Sequence, residues 1–161
     1  MEDIVQKVVG WLIKREKSTL FVSTDSVQTD SISPFLSNKY IYVKNCDCFF
    51  LTKFATKNEN DPFVRWLFRS LDYGCELRFQ CSFSDLTLIP VEIFHYNVEV
   101  FTVAEKPCYA FSNRYITYKQ VAVLPNQAAL ILSTNQNFTL LAQEKIQEKQ
   151  MTICKRSGSQ C

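Results

Sequence analysis

Nucleophilic catalysis needs a base beside its nucleophile, and histidine is the side chain that serves most often. This chain has one histidine, His95, in the run Ile93-Phe94-His95-Tyr96. Its alternation with apolar neighbours reads as a strand residue at a sheet surface, so it is assigned no catalytic role. Cysteine is more abundant: Cys46, Cys48, Cys75, Cys81, Cys108, Cys154 and Cys161. A structural zinc site takes four ligands, usually as two close pairs with about two to four residues between partners. Cys46 and Cys48 have one residue between them, and Cys75 and Cys81 have five. Neither spacing fits, so no metal and no cofactor are assigned and the thiols are expected to be free. Carboxylates could gather on a hard cation, as in a metal-dependent nuclease. Glu92 with Glu99, or Asp25, Asp30 and Asp47, are the available sets, but acids scattered through loops are ordinarily solvated. An enzyme therefore stands third among the readings.

The aromatic content is the stronger signal. Thirteen Phe and seven Tyr help bring the aromatic share to 14%. Tyr40 and Tyr42 lie two apart and share one strand face, which Lys44 continues. Tyr115 with Lys119, and Tyr118 near Arg114, form a second mixed region. Rings that stack on bases and cations that follow phosphates are the parts of a single-strand binding surface. The net charge of +2, from 18 basic and 16 acidic residues, argues against it, because phosphate contacts supply most non-specific affinity. Three glycines in the chain leave no Gly-rich phosphate loop.

The remaining candidate surface is a helix. Over residues 3–16, Ile4, Val8 and Leu12 recur four apart, joined by Val5, Val9 and Ile13, with Gln6, Lys7, Lys14 and Arg15 opposite. Trp11 sits near the polar boundary. The stripe could pack on the chain's own sheet or be offered to another protein.

Behind these residues the pattern reads as mostly strand. Residues 18–24 form a strand, and the Ser/Thr/Asp-rich stretch 25–38 a surface loop. KYIYVKN and CFFLTKFAT read as a hairpin about Asn45-Cys46-Asp47. Asp61-Pro62 opens a helix that runs to Leu71, with Phe63, Leu67 and Leu71 inward, Arg65 and Arg69 outward, and Gly74 past its end. Residues 76–83 alternate, with Leu77, Phe79, Cys81 and Phe83 inward. Further strands are expected around Pro90, at 96–103, 113–124, 128–133 and 138–142, then a short charged helix over 143–153. No internal repeat is apparent.

These elements give an α+β, mostly β chain: an antiparallel barrel or half-barrel with an N-terminal and a central helix. The order of three early strands, a helix and more strands over residues 18–83 resembles an OB-fold, in which such a helix plugs the barrel. One β-rich domain over 1–154 and a flexible tail over 155–161 are expected. The first residues carry acids where a secretory leader is basic, and no apolar run reaches membrane-spanning length. Cytoplasm or nucleus is the expected compartment, with no membrane insertion.

The function expected is a non-enzymatic interaction module, a subunit or adaptor of a larger assembly that binds one or more protein partners through Val5, Trp11 and Leu12. The alternative is direct binding of single-stranded DNA or RNA through Tyr40, Tyr42, Lys44, Tyr115 and Lys119.

Overall fold

The computed structural model describes residues 2–26 and 31–156. Helix α1 (Glu2–Glu16) and strand β1 (Thr19–Ser23) stand where the sequence pattern places them. The stretch expected as a loop contains a short helix, α2 (Ser33–Ser37), with Pro34 in its first turn and Phe35 buried. Residues 27–30 of that stretch, Asp30 among them, lie outside the described residues, as do 157–161 of the expected tail.

The expected hairpin is instead a strand and a helix: β2 (Tyr40–Cys46) is followed by α3 (Cys48–Ala55). Asp47 makes the change. Its carboxylate accepts the Phe50 amide at 2.6 Å, capping a helix start. Phe50, Leu51 and Phe54 then recur at three and four residues and bury one helical face. Helix α4 (Pro62–Asp72) matches expectation. Asp61 accepts from the Phe63 and Val64 amides at 2.9 and 3.2 Å, Leu67 is fully buried, and Arg65 and Arg69 are exposed. Gly74 follows with φ 71°, a conformation that costs a side-chain-bearing residue energy. In β3 (Glu76–Cys81), Leu77, Phe79 and Cys81 are buried as expected.

Beyond β3 the strand reading fails repeatedly. Two 3-10 turns, Leu86–Leu88 and Val91–His95, flank Pro90 in place of a strand. Strands β4 (Val98–Phe101) and β5 (Pro107–Ala110) follow. Then β6 (Tyr115–Ile116) leads into α5 (Tyr118–Ala122) and β7 (Ala129–Leu132). After it, β8 (Asn137–Phe138) leads into α6 (Leu140–Glu148) and β9 (Thr152–Lys155). A unit of short strand, Thr-capped helix and long strand therefore occurs twice, a repeat the sequence did not reveal. Thr117 and Thr139 open its two helices.

The antiparallel barrel and the OB-like order are overturned by the sheet. Seven strands lie in the order β1-β2-β3-β4-β5-β7-β9, and each neighbouring pair is parallel except β4–β5. β6 and β8 form a separate parallel pair. This is an open α/β fold. Parallel neighbours need long crossovers, and helices supply them.

The antiparallel step also decides which face each half covers. Parallel crossovers are almost always right-handed. From β1 to β4 the chain advances steadily across the sheet, so every crossover falls on one face. From β5 to β9 it advances the same way with strands reversed, so the crossovers fall on the other face. The packing agrees. Ile41, Val43, Leu77, Phe79 and Val100 join α3 and α4 in one cluster, whereas Leu130 and Leu132 join Val121, Leu124, Ala142 and Ile146 in another. Strand β7 is buried on both faces, since Ala129 and Ile131 belong to the first cluster.

Candidate protein-binding surface

The N-terminal helix is held at its C-terminal end. Arg15 Nε donates to the Phe35 carbonyl at 3.1 Å and Nη2 to the Tyr73 carbonyl at 2.8 Å. The rest of the helix lies in solvent. Trp11 is 72% exposed, Val5 61% and Leu12 55%, and Ile4, Val8, Val9 and Ile13 are exposed with them. The apolar stripe therefore does not pack on the chain's own sheet. Local terms alone hold residues 3–14 helical, and they are weak. The exposed Asp3–Lys7 pair at 2.8 Å adds a few tenths of a kcal/mol by the usual rule (roughly 0.3–0.5), while mid-helix Gly10 costs about 1 kcal/mol relative to Ala. Contiguous exposed apolar faces of this kind occur at protein or membrane contacts and at ligand grooves.

The second candidate row lies on the sheet face that α2, α3 and α4 leave open. Phe21, Tyr42 and Arg78 are register neighbours on β1, β2 and β3. The Tyr42 ring lies 5.5 Å from Phe21 and 6.2 Å from Phe101. Arg78 covers the Tyr40 ring at 4.1 Å and is bonded to Glu99 at 2.7 Å, and Lys44 lies 5.0 Å from the Phe21 ring. Burial, reinforced by Glu105, pushes the Tyr42 phenol above its usual pKa. Tyr40, Tyr42 and Lys44 are thus brought together as the sequence implied. Tyr115 and Lys119 are not: they belong to β6 and α5, outside the seven-stranded sheet, with Tyr115 beside Arg114.

The groups considered for catalysis or metal binding are dispersed. His95 ends a 3-10 turn rather than lying in a strand, and is exposed. Asp25 is exposed, Asp47 caps α3, Glu92 is exposed and Glu99 holds Arg78. Among the described residues no three His, Cys, Asp or Glu side chains converge as metal ligands. Cys46 and Cys81 are cross-strand neighbours and, like Cys108, buried with free thiols. Burial pushes the Cys46 thiol far up and those of Cys81 and Cys108 up to about 12. Since the thiolate is the reactive form, native protein treated with iodoacetamide at mildly alkaline pH should be modified at exposed Cys48 and spared at these three. Mass spectrometry of the digest checks this. Modification of Cys81 as fast as Cys48 would contradict the packing.

A further feature is a cleft at the carboxyl ends of β5 and β7, about 430 Å³ in volume, lined by His95, Phe94, Phe111 and Arg114 among others. Its floor is set by buried Gln136, whose Nε2 donates to the Phe111 and Asn113 carbonyls while Oε1 accepts the Ser133 amide. In the sequence its traces are His95, Arg114 and the polar run Ser133–Asn137, which no spacing connects.

Among the described residues no helix is long and apolar enough to cross a membrane. No curated protein and no solved structure matches the chain. A family model does, over residues 3–152, from the start of α1 to the start of β9. The match takes in the exposed helix, both halves of the sheet and the cleft, and on it the chain belongs to the family described as Putative propanediol utilisation.

Proposed function

We propose that this chain is a non-enzymatic subunit or adaptor of a larger cytoplasmic assembly serving propanediol utilisation, and that α1 is the element by which it engages a protein partner. The observation that carries the reading is the unfilled apolar stripe with Trp11 at 72% exposure. A Val, Leu or Ile side chain moved from water to a packed contact contributes about 1.5–3 kcal/mol. Several of them on one helix suffice for a specific complex once ordering costs are met. The helix suits a partner that presents an apolar groove, in which anchors at i, i+3, i+4 and i+7 would seat. The family match supports the setting.

The sheet row is less suited to a nucleic acid. Its rings already lie against one another, and Arg78 is committed to Glu99. A backbone-tracking groove needs cations free to meet phosphates.

Hydrogen exchange tests the α1 assignment. In the isolated chain the amides of residues 3–14 should exchange rapidly, since an isolated helix of this length is marginal in water. In the assembly retrieved with the full chain they should be protected, while those of β3 and β7 are slow in both. An α1 as protected in the isolated chain as β3, or unchanged in the assembly, would overturn the reading.

A further inference from the structure

We infer that the cleft at the carboxyl ends of β5, β7 and β9 binds a phosphate monoester carrying an apolar or aromatic body. The strands place it there. β5, β7 and β9 are mutually parallel, so the chain leaves all three at one edge of the sheet. Phe111 to Arg114 follow β5, Ser133 to Asn137 follow β7, and Lys155 ends β9. Open α/β sheets bind their ligands beyond the carboxyl ends of parallel strands, where successive loops form a crevice.

Two depressions meet here. Arg114 and Asn135 line both, one of about 430 Å³ and the other of about 540 Å³, the second also lined by Lys155 and Thr134. Each volume is within the usual range for a small-ligand site, roughly 300–1,000 Å³. The walls differ in chemistry. Phe94, Phe111 and Val91 give the first an apolar side, and the second is polar.

The charge is one-sided. Among the described residues neither Arg114 nor Lys155 has a carboxylate within ion-pair distance, whereas Arg78, Lys39 and Lys53 each do. Arg114 lies against the Tyr115 ring, which orients its guanidinium without neutralising it. Two cations, the Asn135 amide and the Thr134 hydroxyl line the paired depressions. They match a phosphate monoester, with three terminal oxygens and about −1.5 to −2 charge at neutral pH. The apolar wall takes the ester's organic part.

The site is also built. Gln136, 6% exposed, ties the β7–β8 turn to the β5–β6 turn through Phe111 and Asn113. The two loops that carry Arg114 and Asn135 are thereby fixed relative to each other before any ligand arrives, which lowers the ordering cost of binding.

The chain's single histidine, His95, lines the apolar depression of this cleft and can report on it. The imidazole C–H resonances of His95 can be followed by NMR in the untagged full chain during titrations with phenyl phosphate, inorganic phosphate and phenol. Phenyl phosphate should give a saturable shift, with inorganic phosphate and phenol each binding more weakly. Arg114→Gln and Lys155→Gln, both at exposed positions, should each weaken phenyl phosphate on the order of tenfold, the usual effect of losing one charge-assisted bond. The backbone spectrum of each variant verifies its fold. No saturable shift with phenyl phosphate would overturn the proposal. So would equal binding of phenol, or an unchanged affinity in both variants.

Discussion

Phe54→Ala is expected to destabilise the fold by about 3–5 kcal/mol, the range for a large aromatic deleted from a packed core. Phe54 is fully buried on α3. Its ring stacks on Phe68 of α4 at 4.7 Å and meets Phe79 of β3 edge-on at 4.9 Å and Tyr96 at 5.5 Å. One side chain therefore joins two helices, β3 and the segment leading into β4. Neighbours from three separate segments cannot all move in to fill the cavity, so the cost falls at the high end. The total stability of a domain is usually about 5–15 kcal/mol, which makes the variant marginal. Phe49, on the same helix, is 65% exposed, with Lys53 Nζ 4.6 Å from its ring. Phe49→Ala should change stability by no more than about 1 kcal/mol. Chemical denaturation of both variants checks the pair. Leu51→Ala extends the test to the helix itself, since a strand would place Leu51 on the face opposite Phe54, whereas the helix buries both. Equal, small effects at Phe54 and Phe49 would contradict the packing described.

The failure of the barrel reading has local causes. CFFLTKFAT is rich in aromatics, which favour strands by propensity, and next to KYIYVKN it looks like a second strand. The deciding signals were present but weaker to the eye: Asp47 in the capping position, and apolar residues 50, 51 and 54 at helical spacing. Thr117-Tyr118-Lys119-Gln120 has the form of a capping box, and the Thr117 amide does donate to Gln120 Oε1 at 2.9 Å. Reading it as strand hid α5. Ala129–Leu132, four apolar residues with no polar alternation, is the signature of a strand buried on both faces, which belongs to a parallel sheet rather than a barrel. Each misread helix removed a crossover, and without crossovers only antiparallel pairing remained. The repeat was invisible because its two copies share caps and geometry but few side chains.

The candidate surfaces were legible to different degrees. Where an element was read correctly, the surface followed: α1 has a 3.6-residue stripe, and Tyr40, Tyr42 and Lys44 obey the strand period of two. What the sequence could not tell was that the apolar stripe of α1 would stay exposed on its own chain. An amphipathic stripe has the same period whether it packs on its own sheet or faces solvent, so residues 3–16 alone do not distinguish the two. The cleft was missed for a related reason. Its residues come from 91–95, 110–114, 133–137 and 155, and the parallel alignment of β5, β7 and β9 brings the last three stretches to one edge.

Trp11→Ala separates a docking role for α1 from a core role. Truncating an interface Trp that seats as an anchor costs about 2 kcal/mol or more, on the order of a thirtyfold loss of affinity. The same truncation at a side chain 72% exposed should leave stability nearly unchanged. Tyr42→Ala, on the open sheet face, is the paired control. The measurement is copurification of partners with the full-length variants, with thermal unfolding recorded on the same samples. Trp11→Ala should lose its partner while keeping its unfolding transition, and Tyr42→Ala should keep the partner. A Trp11→Ala chain that retains its partner, or that unfolds, contradicts the claim, and loss of the partner in Tyr42→Ala alone would move the interface to the sheet.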